Sequence, residues 1–500
     1  MRSSGILMPI FSLSGKYGIG TLGKSAYEFI DFLEKAGQSY WQILPLNPTN
    51  YGDSPYQSFS AYAGNPYFID LTFLEKKGLL LKGEAESFDF GSDHTQIDYG
   101  KLYENRSKIL DLAFSRFEPN EEYNTFCSEN GFWLNNYALF MALKDSFGGK
   151  SWLEWDENLR LKDKAAIKKA QEQYKKKIEF YCFVQFEFFT QWSCLKAYAN
   201  QKGIKIIGDI PIYVALDSAD VWASPEAFLL DEKLCPTLVA GVPPDVFSKD
   251  GQLWGNPLYD WEFMKKDGYT WWKNRLGYVL KLYDTVRIDH FRGFEAFYAI
   301  PYGDKTAKNG HWIKGPDFKF FEEVKNWFGK DVPIIAEDLG FLTPQVEKML
   351  KKSGFPGMKV LQFAFDDGAN SNYMPHNHTK NSVVYTGTHD NNTVLGWAES
   401  ATPESLELAN RYMHVDPKEG INWAMMRTAL MSVADTAILM MADLLGLGSE
   451  ARINTPSTLG ENWKWRIEGG CINDWLAGIV YENTALYGRL PKKKQKILNK

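Results

Sequence analysis

The sequence has few cysteines, few histidines and no long apolar run, and each shortage excludes a class of protein. The five cysteines are odd in number and lack C-x-x-C spacing, so neither a disulfide framework nor a zinc site is indicated. The seven histidines form no H-E-x-x-H motif, so we expect no catalytic metal and no cofactor. No run reaches the roughly 18 apolar residues that span a membrane, and residues 1–9 are too short for a signal peptide. We therefore expect a cytoplasmic protein with no membrane partner.

Composition and charge exclude further classes of binding partner. The 500 residues are 44% hydrophobic and 24% charged, which allows a large buried core. The net charge is −6 and the pI is near 5.8, so nucleic acid and anionic membranes are disfavoured as partners. An uncharged substrate fits this balance better.

Short apolar runs are the main pattern that is present. Helical patterns at 25–36, 271–282, 318–328 and 344–352 separate several of these runs. Buried strands that alternate with helices are typical of an α/β protein, and eight of them predict a closed (β/α)8 TIM barrel. The eight predicted strands are 5–10, 41–46, 205–209, 285–289, 333–337, 358–363, 383–388 and 436–442.

The spacing of these strands is uneven. Roughly 160 residues separate the second strand from the third, so we expect a large, mostly helical insertion there, at about 51–200. Within it, the lysine-rich stretch 161–180 is interpreted as a solvated helical face. No Pro/Ser-rich linker divides the chain, which favours a single barrel domain over residues 1–500.

A second irregular stretch, residues 241–257, is rich in Gly and Pro and lies between the third and fourth predicted strands. Long loops inside a compact domain are commonly lids or binding loops. We expect Phe247 and Trp254 of this active-site loop to cover a substrate, the alternative being a packed Ω-loop.

Three acids lie at the ends of predicted strands: Asp289 and Glu337 close theirs, and Asp390 comes two residues after 383–388. The C-terminal ends of parallel strands meet at one mouth of a barrel, so these acids would converge. Two such carboxyl groups can cleave a glycosidic bond, and a third can stabilise the developing charge. The plainer alternative for any single acid is that it caps the next helix.

Neighbouring residues fit the same site. Arg287 lies two residues before Asp289 and so points the same way, into the barrel, where it would hold that carboxylate ionised and aligned. Asp209 also ends a strand, and taken alone it would be a helix cap or a loop anchor. His290 and His389 adjoin candidate acids, as packed core residues or as neutral imidazoles that bond sugar hydroxyls.

The motif G-x-G-x-x-G at 18–23 suggests a dinucleotide site, but its context does not fit. The glycines begin eight residues after the first strand, and the second strand ends without an acid for a ribose hydroxyl. We interpret the motif as a loop that leads into a helix.

Six motifs spread over nearly the whole chain are similar to those of one enzyme family. They are 5–9 (GILMP), 51–57 (YGDSPYQ), 255–259 (GNPLY), 336–340 (AEDLG), 387–391 (GTHDN) and 462–466 (NWKWR). This set resembles the amylomaltases, the 4-α-glucanotransferases of glycoside hydrolase family 77. The motifs at 53–57 and 255–259 are specific to that family within the wider amylase clan. Ser457 is a departure, because a glycine is common at its position.

The resemblance implies a nucleophile at Asp289, a general acid/base at Glu337 and a transition-state stabiliser at Asp390. It also implies a set of side chains in or over the sugar site: Tyr56, Asp209, Trp254, Arg287, His290 and His389. The implied reaction is a retaining transfer of an α-1,4-glucan segment to the 4-hydroxyl of an acceptor. The implied partners are maltooligosaccharides and starch or glycogen chains, with the protein a monomer or weak homodimer.

Two alternatives to transfer remain open from the residues. One is an α-glucan hydrolase with the same carboxylates and an open lid. The other is a glycogen- or starch-binding protein that has kept the groove, although three intact acids argue against it.

Overall fold

The computed structural model describes residues 2–50, 52–244, 248–340, 342–366, 368–492 and 494. Twelve strands lie in these residues: β1 (Ser3–Leu7), β2 (Tyr40–Gln42), β3 (Lys205–Pro211), β4 (Leu238–Val242), β5 (Gln252–Pro257), β6 (Thr285–Asp289), β7 (Ala296–Pro301), β8 (His311–Lys314), β9 (Ile334–Ala336), β10 (Gly357–Val360), β11 (Ser382–Tyr385) and β12 (Thr436–Met440).

The α-helices of the same residues pack around and between these strands. They are α1 (Lys24–Lys35), α2 (Leu71–Lys76), α3 (Tyr99–Phe114), α4 (Glu121–Glu129), α5 (Gly131–Ser146), α6 (Glu157–Arg160), α7 (Lys164–Gln173), α8 (Lys175–Gln201), α9 (Ala219–Ala223), α10 (Trp261–Lys266), α11 (Thr270–Leu282), α12 (Phe318–Phe328), α13 (Pro344–Ser353), α14 (Val394–Ser400), α15 (Pro403–Met413), α16 (Ile421–Met431), α17 (Met441–Leu444) and α18 (Asp474–Leu486).

Eight strands form a parallel barrel in the order β10-β11-β12-β1-β2-β3-β6-β9. Between β9 and β10 the barrel is joined by a backbone hydrogen bond of 3.0 Å from the Ala336 N–H to the Pro356 carbonyl. These eight are the strands predicted from the apolar runs, and the (β/α)8 prediction is confirmed. Most of them end earlier than predicted, because the apolar runs continue past the ladder into the loops at the barrel mouth.

The long connection between β2 and β3 holds α2 to α8, so it is mostly helical as expected. Its central helix, α8, buries an aromatic face that packs against α3, α4 and α5. The lysine-rich stretch 161–180 is two helices, not one, since the backbone leaves helical geometry at Tyr174. Most of its side chains are exposed, which agrees with a solvated face.

A second sheet lies over the barrel. It is antiparallel with the order β5-β4-β7-β8. The stretch 241–257, predicted as a loop, contains the end of β4 and all of β5, so it is in large part a hairpin. Only Pro243, Pro244 and Gly251 lie in the connection between the strands, where Gly251 adopts a φ of 67°, whereas Gly241, Gly255 and Pro257 lie within β4 and β5. Phe247, predicted to cover the substrate, lies outside the described residues, as does Tyr51 of the 51–57 motif.

Local backbone features agree with two further expectations. The glycine motif at 18–23 is a loop, and α1 begins directly after Gly23. Ser457, noted above as a departure from the motif pattern, has a φ of 64°, in the left-handed region that favours glycine. Within the residues that the structure describes, no helix combines the length and the apolar character needed to cross a membrane.

Candidate active site

Arg287 joins two of the strand-end acids inside the barrel. Its Nη1 donates to both oxygens of Asp209, at 2.9 and 2.7 Å, and its Nη2 donates to Asp289 Oδ1 at 2.9 Å. The guanidinium is only 3% exposed, whereas the Asp289 side chain is 30% exposed toward the mouth. Burial raises the pKa of Asp289, and the Arg287 charge opposes that rise. The ion pair therefore aligns a carboxylate that still faces incoming substrate.

Tyr56 extends this chain of contacts across the mouth. Its hydroxyl donates to Asp209 Oδ2 at 2.8 Å, and its ring stacks on His389 with centroids 5.0 Å apart. The segment that carries Tyr56 is anchored to α8, because the Gln185 amide bonds both the N–H and the carbonyl of Gly64. The helical insertion thus positions one wall of the site.

Glu337 follows β9 and is held by two backbone donors. Its Oε2 accepts from the His290 N–H at 2.7 Å, and its Oε1 accepts from the Leu339 N–H at 2.7 Å. Both bonds favour the ionised form, but burial and the nearby charge of Asp289 outweigh them and raise the pKa of Glu337 to about 7. A carboxyl group that holds its proton near neutral pH is suited to general acid catalysis.

His290 connects Glu337 to the antiparallel sheet. Its backbone is left-handed, with a φ of 53°, which turns its N–H toward Glu337. Burial lowers the pKa of the imidazole to about 3, so the ring is neutral. The Trp254 ring on β5 meets it edge-on at 4.8 Å. The buried Nε2 of His290 has no hydrogen-bond partner among the described residues, which leaves it available to a ligand hydroxyl.

Asp390 lies on the loop after β11 and is positioned by a distant segment. Asn454 donates to its Oδ1 at 2.6 Å, and Arg452 donates to its backbone carbonyl at 2.9 Å. The His389 Nε2 lies 3.4 Å from the same carboxylate. The Asp390 side chain is 44% exposed, so it also faces the open mouth.

The base of the same loop is fixed by a buried acid. Asp443, after β12, accepts from the Thr386 hydroxyl and from the Val394 N–H, both at 2.7 Å. These bonds hold the two ends of the segment that carries His389 and Asp390.

The nine site residues that the resemblance implies all lie in this one network of contacts. Sequence reasoning missed three residues that position Asp390 or its loop: Asn454, Arg452 and Asp443. Asp443 carried a usable signal, since it too follows a predicted strand, but Asn454 and Arg452 lie on an irregular loop with no periodic pattern. Trp463, in the 462–466 motif, was also not singled out, and its ring lies 5.9 Å from Tyr56 and 6.0 Å from His389.

Comparison with known proteins gives consistent matches over the full length. A family model described as 4-alpha-glucanotransferase, glycoside hydrolase family 77, matches residues 8–472. A 4-alpha-glucanotransferase of Clostridium butyricum is 52% identical over 486 residues, covering 96% of this chain and 100% of that protein. One from Streptococcus pneumoniae is 49% identical, covering 98% of each chain. The structure of an amylomaltase from Streptococcus agalactiae in complex with acarbose superposes with a TM-score of 0.96 at 42% identity, covering 98% of this chain and 100% of that one.

Proposed function

Because this chain belongs to the 4-alpha-glucanotransferases of glycoside hydrolase family 77, we propose that Asp289, Glu337 and Asp390 carry out its reaction as a retaining double displacement. The enzyme transfers an α-1,4-glucan segment from a donor maltosaccharide to the 4-hydroxyl of an acceptor. The observation that carries the residue assignment is the pair of environments: Asp289 is held against Arg287, whereas Glu337 keeps its proton near neutral pH. When one carboxyl group is paired with a cation and its neighbour has a raised pKa, the first is suited to act as the nucleophile and the second as the acid.

In the first step, Asp289 attacks the anomeric carbon while the bond from that carbon to the glycosidic oxygen breaks. Glu337 gives its proton to the departing oxygen, so the leaving sugar departs as a neutral alcohol. The product of this step is a glycosyl ester on Asp289, and Glu337 is left ionised.

In the second step, the 4-hydroxyl of another glucan displaces Asp289 from the anomeric carbon. Glu337 accepts the proton of that hydroxyl and is ready for a new cycle. Two inversions give net retention, so an α-1,4 bond is remade. Transfer prevails over hydrolysis when an acceptor sugar, and not water, occupies the space beside the ester.

The other residues of the site would contact the sugar ring that becomes positively charged in the transition state, and the sugar units next to it. Asp390 would hold ring hydroxyls of a distorted sugar and favour the oxocarbenium-like state without bonding to carbon. The unpartnered Nε2 of His290 supports a hydrogen bond to a sugar hydroxyl. Tyr56, Asp209 and His389 would line the same pocket, and Trp254 would lie over it.

The substrate proposal agrees with the charge of the chain. A net charge of −6 does not attract polyanions, and maltooligosaccharides, starch and glycogen are uncharged. The Streptococcus agalactiae amylomaltase, which shares this fold, holds acarbose. We propose that this protein acts on such glucans in the cytoplasm as a monomer or weak homodimer, which sedimentation at micromolar concentration will test.

The experiment that tests the roles compares two variants on two donors. With maltotriose, the wild type should form glucose and a ladder of longer chains, and both Asp289→Asn and Glu337→Gln should lose this activity. With a maltosyl fluoride, whose leaving group needs no proton, Glu337→Gln should still form the intermediate, since acid assistance is worth roughly 10² to 10⁴ in rate. Asp289→Asn should remain inactive on both donors.

Two exposed acids provide matched controls. The Asp474 and Glu461 side chains are 83% and 91% exposed, so Asp474→Asn and Glu461→Gln should leave both reactions unchanged. Equal losses of Glu337→Gln on both donors would remove Glu337 from the acid role. Glucose and maltose without longer chains would identify the hydrolase alternative.

A further inference from the structure

We propose that Trp463 is a positioning residue of the active site. Its ring supports the stacked rings of Tyr56 and His389, and its backbone holds the segment that positions Asp390. This inference rests on the proposed function, because it assigns Trp463 to the alignment of groups that are proposed to carry out the reaction. Trp463 belongs to the 462–466 motif, which has no part in the mechanism described above.

The Trp463 ring contacts both rings of the stacked pair. Its centroid is 5.9 Å from that of Tyr56 and 6.0 Å from that of His389, and those two rings are 5.0 Å apart with an angle of 19° between their planes. Trp463 is 4% exposed, whereas Tyr56 is partly exposed. The Trp463 ring is therefore shielded by protein atoms, and it acts on a substrate only through the rings that it contacts.

Each of the two supported rings adjoins a group of the catalytic centre. The Tyr56 hydroxyl donates to Asp209 Oδ2 at 2.8 Å, at the start of the chain of contacts that aligns the proposed nucleophile. The His389 Nε2 lies 3.4 Å from the carboxylate of Asp390, the proposed transition-state stabiliser. A shift of the stacked pair would therefore disturb the nucleophile and the stabiliser together.

The backbone of Trp463 supports Asp390 by a second route. The Trp463 N–H donates to the Ile453 carbonyl at 2.7 Å. The next residue, Asn454, donates from its N–H to the His389 carbonyl at 3.0 Å and from its side chain to Asp390 Oδ1 at 2.6 Å. This short segment is thus held between Trp463 on one side and the loop that carries the stabiliser on the other.

The conformation of Trp463 is unfavourable in itself, and the helical insertion holds it in place. Its φ of 67° is in the left-handed region, which bulky side chains rarely adopt. The Trp463 carbonyl accepts from the Tyr99 hydroxyl at 2.9 Å, and the Lys464 carbonyl accepts from the Ile97 N–H at 2.9 Å. Backbone strain that the surroundings maintain is concentrated at sites where a side chain must be positioned for function.

The test compares kcat with KM in variants of Trp463. Trp463→Ala should lower kcat for transfer from maltotriose roughly tenfold to a hundredfold, the range for a small misplacement of catalytic groups, and should change KM by no more than about twofold. Transfer from a maltosyl fluoride should fall by the same factor, because the proton of Glu337 is not involved. Trp463→Phe, which keeps a ring, should lose less. Trp192→Phe on α8 is its matched control and should keep the wild-type kcat, since that ring is 1% exposed and contacts Tyr283, before β6.

Trp463→Gly separates the effect of the ring from that of the backbone. Glycine adopts the left-handed region more readily than alanine, so Trp463→Gly should unfold at a higher temperature than Trp463→Ala. Neither variant has a ring, so the two should share the same low kcat. A kcat that is restored in Trp463→Gly together with the Tm would show that Trp463 only stabilises the fold.

A double variant tests whether Trp463 acts through Tyr56. The loss of kcat in Tyr56→Ala/Trp463→Ala should be smaller than the product of the two single losses, because residues that act through one contact are not additive. Fully multiplicative losses, an unchanged kcat in Trp463→Ala, or a rise in KM alone would each overturn the inference. A wild type that makes no transfer product from maltotriose would overturn the proposed function itself, which is a separate result.

Discussion

Glu337 shows how a single residue is tuned by its surroundings. Burial and the Asp289 charge raise its pKa to about 7, well above the ordinary carboxyl value, although two N–H groups donate to it. The proton that the first step needs is therefore present below pH 7 and is lost as the pH rises through that value. His290 does not contribute to this change, because its pKa is lowered to about 3 and it stays neutral.

We predict that kcat/KM for transfer from maltotriose falls above pH 7, approaching tenfold per pH unit. The physical reason is the loss of the Glu337 proton, since only the protonated enzyme can activate the leaving oxygen. Measuring kcat/KM from pH 5 to 9 gives the midpoint. With Glu337→Gln and a maltosyl fluoride, the alkaline fall should vanish. An alkaline fall that persists in this variant would assign it to another group.

At the scale of the element, the β4–β5 hairpin brings an aromatic side chain to the catalytic loop. Trp254 meets His290 edge-on at 4.8 Å, and the His290 N–H donates to Glu337, the proposed acid/base. We predict that Trp254→Ala weakens acceptor binding roughly fivefold, an effect on the order of 1 kcal/mol. Water should then compete for the intermediate, and the ratio of hydrolysis to transfer should rise while total turnover falls.

Leu253 provides the control for this prediction, because it is next to Trp254 on β5 and is 38% exposed. Successive side chains on a strand point to opposite faces, so Leu253→Ala should leave the ratio near that of the wild type. Free glucose and longer oligosaccharides from maltotriose give the ratio directly. A proportional fall of both reactions in Trp254→Ala would show that the hairpin is only a structural support.

The loop after β11 depends on a side chain from the next strand. Asp443 accepts from Thr386 and Val394 at its two ends, and it is 1% exposed. Asp443→Ala should destabilise the protein by roughly 1 to 3 kcal/mol, because two buried donors lose their acceptor. Activity should fall too, as Asp390 loses its position. Asp443→Asn keeps one acceptor oxygen, so it should lose less stability and less activity than Asp443→Ala. Thermal unfolding and transfer assays measure the two losses.

For the whole molecule, Arg489 ties the C-terminal region to the barrel. It has 0% exposure, and its guanidinium donates to backbone carbonyls at the N-terminal side of the barrel. The carbonyls are those of Ser3, Ala429, Leu430, Ser432, Ala434 and Asp435. One side chain therefore holds β1, the end of α16 and the start of β12 together, away from the catalytic mouth.

We predict that Arg489→Ala lowers the free energy of unfolding by roughly 3 kcal/mol or more, since several buried carbonyls lose their donor at once. At low temperature, the Arg489→Ala protein that remains folded should make the same transfer products from maltotriose as the wild type. Arg411→Ala is the control: that side chain is 79% exposed, and its loss should cost no more than about 0.5 kcal/mol. A similar Tm for the two variants would contradict the prediction.

Much of the barrel could be predicted because its signals are local. Each barrel strand is a short apolar run, and an acid directly after such a run is at the catalytic mouth whatever the rest of the chain does. The strands of the antiparallel sheet were missed for the opposite reason. β8 is mostly exposed and β5 is only partly buried, and Gly241, Gly255 and Pro257 lie within β4 and β5, so β4 and β5 could not be distinguished from a loop.

The sequence by itself determined the eight-stranded barrel, the strand-end acids and the direction in which Arg287 points, because each depends on residues that are neighbours along the chain. Only the tertiary structure decided which distant groups complete the site. Asn454 contacts Asp390 across 64 residues, and Tyr56 contacts His389 across 333. Such contacts depend on the path of the loops over the barrel, which no periodicity encodes. The raised pKa of Glu337 has the same origin, since burial and a facing charge exist only once the chain has folded.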